Sequence, residues 1–267
     1  VLVDSPGYYP LFGKLRLAKA RLIGVRRTAD GPDPDDLAAK AASTGARMFF
    51  TQSLAHNPTG CSITLPVAYR LLRTATEHNL RIVDSDPFAD VLSNTSPRLA
   101  ALDQLDRVIY VGTFAKTLSA SLRSGYIAAN ADTIARLADL KMITRANSSG
   151  YIEQIIYDLI TSGRYRGHLK RLIGRIEAAT GQANDTLSRL GLPVFGQPRG
   201  GFYMWCELPS HIDDTQLSRI AAERSILLAP GSAFNPDAMP APPAMRVNIA
   251  HVGDPRFASF MAEHRAP

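Results

Sequence analysis

Short apolar runs alternate with helical segments through the first half of this 267-residue chain, and this alternation limits its possible folds more than any other feature. Residues 48–51, 81–84 and 108–111 have the apolar character of buried strands. The segment 65–79 lies between the first two, and its apolar residues share one helical face: Val67, Leu71, Leu72 and Ala75. Strands that alternate with helices predict a mostly parallel sheet and the α/β fold class.

A single lysine, Lys116, follows the strand predicted at residues 108–111. Gly112 interrupts that strand, and small and hydroxyl-bearing residues surround the lysine. Open α/β sheets bind ligands at strand ends, and burial beside another cation can hold a lysine there unprotonated. An unprotonated lysine is the nucleophile that forms Schiff bases. The same stretch is equally compatible with a surface lysine that follows a strand.

Two further segments accompany this lysine, each beside a predicted strand end. Residues 56–60 read His-Asn-Pro-Thr-Gly, and residues 82–88 read Ile-Val-Asp-Ser-Asp-Pro-Phe. Together with Thr-Phe-Ala-Lys at 113–116, and in this order, they resemble the class I/II aminotransferases of fold type I, which bind pyridoxal 5′-phosphate (PLP). Residues 112–126 are most similar to the aminotransferase-like domains of MocR-type regulators of the GntR family. The resemblance extends over essentially the whole chain, down to Arg246.

The resemblance implies a PLP-dependent transferase fold of type I with two domains. We expect residues 1–164 to form the large PLP-binding domain around the parallel sheet, and residues 165–267 to form a smaller α+β C-terminal domain. A long amphipathic helix predicted at about 165–190 leads from one to the other. The first residues read as a strand already under way, so we also expect the N-terminal part of the large domain to be missing from this chain.

The resemblance also assigns cofactor roles to individual residues. Lys116 would hold PLP as a Schiff base and, in an enzyme, would be the catalytic acid and base. Tyr8 would stack on the pyridine ring, and Ser85 would face the ring nitrogen. Thr113 and Arg123 would bind the phosphate, for which a guanidinium offers two parallel hydrogen bonds.

Two residues are implied to bind the substrate. Asn57 lies in a turn that Pro58 and Gly60 force, and its amide can reach either the PLP phenolate oxygen or a substrate carboxylate. The alternative for Asn57 is a turn residue bonded only to its own backbone. Arg246 would grip the substrate α-carboxylate, and its alternative is a solvent-exposed arginine at a strand edge. The histidines show no metal-ligand spacing, so no metal site is predicted.

The sequence departs from the family at the acidic strand. The family places an aspartate where Ser85 stands, and its carboxylate pairs with the pyridine nitrogen to keep the ring an electron sink. It places a tyrosine where Phe88 stands, and that hydroxyl binds the ring phenolate. Asp84 and Asp86 should point to the other face of the strand, although a one-residue slip or bulge could return Asp84 to this position. Without such a slip, the ring would be a weaker electron sink, which argues against fast transamination and does not exclude PLP binding.

Composition limits the partners and the compartment. The net charge of +6 is spread over the chain, and no basic run is interleaved with aromatics as a nucleic-acid surface would be. Only two cysteines occur, which excludes a disulfide framework and suits a reducing cytoplasm. The sequence shows no apolar run of membrane-spanning length and no signal peptide. We therefore expect a cytoplasmic protein with no membrane partner.

Two functions are compatible with these features, and so is a degenerate fold that has lost the cofactor. The first is a PLP-binding, aminotransferase-like effector domain of a MocR/GntR-type transcriptional regulator, which senses a small amino-acid-like ligand and reaches DNA only through an N-terminal domain absent from this chain. The alternative is a free-standing class I/II aminotransferase that transfers an amino group from an amino acid to a 2-oxo acid. Ser85 and Phe88 favour the regulator. The resemblance implies a homodimer for either function.

Overall fold

The computed structural model describes residues 1–92, 97–237 and 241–265. In chain order the strands are β1 (Leu2–Ser5), β2 (Ile23–Thr28), β3 (Gly31–Pro32), β4 (Met48–Thr51), β5 (Arg81–Asp86), β6 (Val108–Thr113), β7 (Gly125–Ala128), β8 (Tyr203–Glu207), β9 (Ala229–Pro230) and β10 (Ala244–Asn248). The helices are α1 (Tyr9–Leu17), α2 (Pro34–Thr44), α3 (Leu65–Glu77), α4 (Leu99–Asp103), α5 (Ala131–Arg145), α6 (Gly150–Thr161), α7 (Arg164–Arg189), α8 (Asp214–Glu223) and α9 (Pro255–Arg265). Single 3₁₀ turns lie at Ala89–Val91, Ala120–Leu122 and Gly231–Phe234.

The first seven strands form one sheet in the order β3-β2-β1-β4-β5-β6-β7. The five central strands, β2, β1, β4, β5 and β6, pair in parallel. The edge strands β3 and β7 pair antiparallel with β2 and β6. The predicted α/β class with a mostly parallel sheet is therefore confirmed. Because parallel strands run in one direction, the segments that follow β1, β4, β5 and β6 emerge at the same edge of the sheet. Each predicted site residue of the first half lies at or beyond that edge.

One face of this sheet carries the main core of the first half. Phe49, Ile82 and Val108 from three adjacent strands pack against apolar residues of α2 and α3, and all three are buried. The residues between them alternate to the opposite face, as the pleat requires. That second face is only half-buried over the described residues: Phe50, Val83, Ser85, Ile109 and Val111 are all of intermediate exposure.

Local sequence explains where the helices begin. The carboxylate of Asp33 accepts hydrogen bonds from the backbone N–H groups of Asp35 and Asp36, and Pro34 occupies the first helical position of α2. A capping acid followed by proline favours the start of a helix. The carboxylate accepts from N–H groups of the first turn that lack a partner, and proline has no N–H to satisfy. The helix ends before Gly45, whose φ of 61° lies in the left-handed region.

The second half forms a smaller antiparallel sheet in the order β8-β10-β9. The long helix predicted at about 165–190 is confirmed as α7, and α8 and α9 complete the layer around this sheet. The apolar run at residues 226–229 predicts a strand ahead of Pro230 and Gly231, but β9 begins only at Ala229, and Ile226 and Leu228 contribute to the apolar cluster instead. The division at residues 164 and 165 into two domains stays a prediction.

The two halves share apolar contacts. The cluster of the second half includes three buried residues from the loops beyond β4 and β5: Ala55, Phe88 and Val91. The second sheet is thereby packed onto the edge of the first sheet where the predicted site residues lie. None of the helices in the described ranges is long and apolar enough to cross a membrane.

Candidate functional site

Asn57 is held in a turn that its neighbours fix at several points. The backbone N–H of Asn57 donates to Gln52 Oε1 (3.2 Å), and Gln52 Nε2 donates to the carbonyl of Ala55 (3.0 Å). The backbone of His56 pairs with both sides of the turn, since its N–H donates to Cys61 and its carbonyl accepts from Gly60. Asn57 is buried. Its side chain therefore has one defined direction rather than the freedom of an exposed loop amide.

A buried ionic group lies beneath this turn. Asp4 Oδ2, at the end of β1, accepts from Arg27 Nη1 (3.1 Å) and from Thr51 Oγ1 (2.8 Å), and His56 Nε2 lies 3.4 Å from it. Burial raises the pKa of Asp4, but Arg27, His56 and Thr51 outweigh it, so the pKa lies below its ordinary value. Burial and the charge of Arg27 lower the pKa of His56 from 6.5 to about 4. His56 is therefore neutral near pH 7 and anchors the turn as a hydrogen-bonding group.

Asp84 and Ser85 lie on opposite faces of β5. The strand keeps an unbroken parallel register with both neighbours, pairing Thr51 with Asp84 and Ser85 with Val111, so the slip or bulge that could exchange the two does not occur. Asp84 is fully buried and accepts from Ser53 N (2.9 Å) and Ser53 Oγ (2.7 Å). Burial raises its pKa to about 7. Ser85 is half-buried on the other face, with no carboxylate of β5 beside it.

Lys116 lies in the loop between β6 and β7. The base of this loop is closed because Phe114 N donates to the carbonyl of Ser124 (3.2 Å) and the two strands pair Thr113 with Gly125. Lys116 is exposed, and within the described part of the chain its amine forms no hydrogen bond or ion pair. The lysine thus presents an exposed amine in a loop whose base is fixed.

The two predicted phosphate ligands flank this loop. Thr113 Oγ1 donates to the Ser124 carbonyl (3.2 Å) and accepts from Ala115 N (3.1 Å), so its hydroxyl is engaged within the loop. Arg123 is exposed, has a left-handed φ of 51° and makes one long contact, 3.5 Å, to the Ala120 carbonyl. The structure places both beside the lysine loop, and their role toward a phosphate stays a prediction.

The residue after the lysine ties this loop to α7. Thr117 is buried, and its hydroxyl lies 2.8 Å from the hydroxyl of Tyr165, which donates to Asp90 Oδ2 (2.7 Å). His168 Nε2, one turn along the helix, donates to the carbonyl of Thr117 (2.7 Å). The first two turns of α7 therefore fix the backbone on which Lys116 stands.

Arg246, on β10, extends its guanidinium from the second sheet to the Asn57 turn. Arg246 Nη1 donates to Asn57 Oδ1 (3.0 Å). Its Cζ lies 4.2 Å from the centroid of the Tyr203 ring and 5.2 Å from that of Phe234, so two aromatic faces hold the guanidinium. With its oxygen bonded to Arg246, Asn57 has its amide nitrogen free to act as the donor of this pair. The guanidinium is positioned as a planar group that can receive a carboxylate.

Tyr203, the first residue of β8, lies between the groups of the site and was not among the residues predicted from the sequence. The Lys116 amine lies 6.0 Å from its ring centroid, and the Phe88 ring meets it edge-on at 6.3 Å. Gly60, at φ 72°, packs on the Tyr203 carbonyl so closely that any side chain there would collide with it. Tertiary packing alone brings β8 beside Lys116 and Arg246. In the sequence, the only sign of a role for Tyr203 is that it belongs to an aromatic pair after Gly200 and Gly201.

A cavity of about 370 Å³ opens beside the guanidinium. Arg246 and Tyr203 belong to its lining, together with apolar side chains such as Leu228 and Phe257 and polar ones such as His251. The position therefore combines a fixed cation with room for a small ligand.

The structure brings some of the predicted site residues together and leaves others apart. Asn57, Arg246 and Lys116 converge around Tyr203, and Tyr8 lies near enough that the Tyr203 phenol adds to the effect of burial in raising the Tyr8 pKa. Tyr8 is 46% exposed at the end of β1. Thr113, Arg123 and Ser85 lie along the same edge of the sheet without direct contact to this group among the described contacts.

Comparisons with known proteins place this arrangement in a family. The profile of the family described as aminotransferase class I and II matches residues 1–260. The kynurenine aminotransferase of Pyrococcus horikoshii superposes with a TM-score of 0.90 over 99% of this chain and 67% of that one, at 21% identity, which shows the shared fold.

Sequence relatives include both regulators and transaminases. An HTH-type transcriptional regulator of Bacillus subtilis, YisV, is 25% identical over 239 residues, which cover 88% of this chain and 49% of the regulator. The (S)-3,5-dihydroxyphenylglycine transaminase of Amycolatopsis orientalis is 31% identical over 255 residues, which cover 88% of this chain and 57% of that protein. The chain thus spans about half the length of these relatives. Because the family profile covers nearly every residue on a matching fold, this chain belongs to the class I and II aminotransferase family.

Proposed function

We propose that this chain is the PLP-binding effector domain of a MocR/GntR-type transcriptional regulator and that it senses a small amino-acid-like ligand. One observation carries the proposal. The Lys116 amine and the Arg246 guanidinium share the ring of Tyr203, at 6.0 and 4.2 Å from its centroid. A nucleophilic amine beside a fixed carboxylate-binding group suits a ligand that carries both an amine and a carboxylate.

The side chains present fit PLP. The cofactor carries an aldehyde, a phenolate and a phosphate, and the site offers an exposed amine, amide and hydroxyl donors, and a guanidinium. Lys116 has no other partner within the described residues, and the amide nitrogen of Asn57 is free to donate. Nothing in this donor set needs a metal. Pyridine-nitrogen binding is the weak point of the fit, because Ser85 stands where the family has a carboxylate.

Each residue then has a defined task. Bound PLP supplies an electrophilic carbon and a conjugated ring that withdraws electrons. Lys116 would provide the amine that holds the cofactor. Asn57 and Arg246 orient the ligand carboxylate and fix the phenolate side of the ring. Thr113 and Arg123 bind the phosphate, and Tyr8 covers the ring face.

The choice between regulator and enzyme depends on which side chains β5 offers to the pyridine nitrogen of the cofactor. Asp84 is buried on the opposite face, so it does not replace the missing carboxylate, and the half-buried Ser85 offers only a hydroxyl. Ligand exchange on Lys116 needs no strong electron sink, whereas proton removal from the ligand does. This favours a sensor. The alternative, a free-standing class I/II aminotransferase, is supported by the transaminases among the relatives.

The partners and compartment follow from the same proposal. A regulator of this type acts in the cytoplasm as a homodimer and reaches DNA through a separate N-terminal domain. Two buried free cysteines, Cys61 and Cys206, are compatible with a reducing compartment.

The test is covalent attachment of the cofactor. The complete natural protein, loaded with PLP and reduced with borohydride, should carry the pyridoxyl group on Lys116 when its peptides are analysed by mass spectrometry. The Lys116→Ala variant should lack both the label and the visible absorbance band of the bound cofactor. Lys141→Ala, at an exposed position on α5, is the matched control and should behave like the parent. A label on another lysine would refute the proposal.

A further inference from the structure

We infer that the Tyr203 hydroxyl supplies the phenol donor that Phe88 lacks, and that it donates, beside Asn57, to the phenolate oxygen of bound PLP. The inference rests on the proposed function and assigns it a further cofactor-binding residue. The donor would come from β8 in the second sheet rather than from the end of β5.

Phe88 itself has no hydroxyl to donate, and its ring is held by packing beside that of Tyr203. It is 1% exposed and belongs to the apolar cluster of the second half. Its ring meets Phe202 edge-on at 5.1 Å and Tyr203 edge-on at 6.3 Å, and Gly201 lies close above it. The position therefore serves packing in this chain, and the phenol nearest to it is that of Tyr203.

Tyr203 is well placed because three parts of the site hold its ring. Arg246 lies over the ring at 4.2 Å, and the Asn57 turn packs on its backbone through Gly60. The Lys116 amine lies 6.0 Å from the ring centroid. A phenol fixed between the amine that holds the cofactor and the amide–guanidinium pair is adjacent to the phenolate side of the ring, because that oxygen and the aldehyde are neighbours on PLP.

The hydroxyl is free to act. Within the described part of the chain, no backbone or side-chain group forms a hydrogen bond with Tyr203 Oη, although the ring is half-buried. The Tyr203 phenol also lies near enough to Tyr8 to add to burial in raising the Tyr8 pKa. Tyr8 is the residue expected to cover the cofactor ring, so the Tyr203 ring, between Lys116 and Arg246, lies beside the expected cofactor position.

The experiment moves one hydroxyl between two neighbouring rings. The complete natural protein, Tyr203→Phe, and the double variant Tyr203→Phe with Phe88→Tyr are loaded with PLP, and the absorbance of the bound cofactor is titrated with pH. Tyr203→Phe keeps the ring that contacts Arg246 and removes only the hydroxyl. Without that donor, more negative charge stays on the phenolate, and it raises the proton affinity of the adjacent nitrogen joined to Lys116.

The expected result is a spectral midpoint raised by about one to two pH units in Tyr203→Phe, because a hydrogen bond to a charged group contributes on the order of 1.5–3 kcal/mol. PLP affinity should fall about tenfold or more in the same variant. The double variant should return the midpoint toward the parent value. Tyr69→Phe, at an exposed position on α3, is the matched control and should titrate like the parent.

The outcomes separate two failures. If the parent protein does not take up PLP on Lys116, the proposed function is wrong and the inference with it. If the parent holds PLP on Lys116 but Tyr203→Phe keeps the parent midpoint and affinity, only the inference is overturned. A double variant that stays as shifted as Tyr203→Phe would also overturn it, because the effect would then not come from a hydroxyl that the two rings can exchange.

Discussion

At the scale of single residues, the proposed function assigns this chain the amine and the carboxylate-binding groups expected of its family but not the groups expected to make the cofactor reactive. Lys116 and Arg246 lie around one ring, and Asn57 bonds directly to Arg246. Ser85 replaces a carboxylate on the half-buried face of β5, and Phe88 replaces a phenol with a buried apolar ring. Under the proposed function, binding of an amino ligand and its chemical conversion are therefore expected to be separable.

Restoring the carboxylate should restore conversion. Ser85→Asp places a charge on the face of β5 that carries Ser85, and a charge-assisted hydrogen bond to the pyridine nitrogen contributes on the order of 1.5–3 kcal/mol. Conversion of the bound cofactor to its amine form by an amino ligand should become about 10- to 100-fold faster. Single-turnover absorbance with one amino ligand measures the rate in parent and variant.

Ser85→Asn is the matched control, because it has the same shape as the aspartate and no charge. It should leave the rate near that of the parent. A parent as fast as an ordinary aminotransferase, or an asparagine variant as fast as the aspartate variant, would contradict the prediction and favour the free-standing enzyme.

The sequence could predict which face of β5 each acid would occupy, but not which residues would meet across the molecule. Strand alternation alone correctly placed Asp84 opposite Ser85, because the side-chain period of a strand is fixed. Tyr203 lies far along the chain from Asn57 and Lys116, and no local sequence pattern predicts that these residues lie close together in space. Its place depends on how β8 packs onto the ends of β4 and β5.

At the scale of elements, α7 connects the lysine loop to the second half of the chain. Its Tyr165 and His168 bind both the side chain and the carbonyl of Thr117, next to Lys116, and its later turns belong to the apolar cluster around β8 and β10. A ligand that binds Lys116 and Arg246 contacts both ends of this connection. The helix is therefore the element through which the two halves can respond to a ligand together.

The helix itself was predictable from its amphipathic pattern, whereas its contacts were not. The apolar stripe gave its extent to within a residue at each end, since helical period is a local property. The hydrogen bonds of Tyr165 and His168 depend on where the loop 114–124 folds back. The displaced β9 has the same cause, because an apolar run with no partner strand beside it packs as a loop.

Removing the Tyr165 hydroxyl should loosen this connection. Tyr165→Phe keeps the buried ring, which meets Phe114 edge-on, but leaves Asp90 and the buried Thr117 hydroxyl without their partner. The free energy of unfolding should fall by about 1–3 kcal/mol, the typical effect of an unsatisfied buried polar group. Urea unfolding at constant pH measures the change. Tyr157→Phe, exposed on α6, is the control and should have little effect.

At the scale of the whole molecule, the buried groups under the site link stability to pH in two opposite directions. Folding lowers the pKa of His56 from 6.5 to about 4, mainly through burial. Between these values the unfolded state binds the proton and the folded state does not, so His56 makes stability rise with pH. Burial raises the pKa of Asp84 from 3.8 to about 7. There the folded state binds the extra proton, so Asp84 makes stability fall as pH rises.

The two contributions overlap between about pH 4 and 6.5, and in the parent protein they should largely cancel. Each is worth up to about 1.4 kcal/mol per pH unit in this window. His56→Gln removes the rising contribution, so its unfolding free energy should decline with pH relative to the parent by up to that slope. Asp84→Asn removes the falling contribution, so its unfolding free energy should increase with pH relative to the parent by a similar slope.

The prediction concerns the slope of the unfolding free energy against pH rather than its absolute value. Both substitutions also disturb packing, but they do so by an amount that does not depend on pH. Urea unfolding at a series of pH values gives the slope for each variant, and the double variant should return to the slope of the parent. His56 contacts Asp4, whereas Asp84 binds Ser53, so the two can be removed separately. Curves parallel to the parent for both single variants would show that neither group titrates as its burial requires. A change confined to Asp84→Asn would show that His56 binds its proton as readily in the folded protein as in the unfolded one.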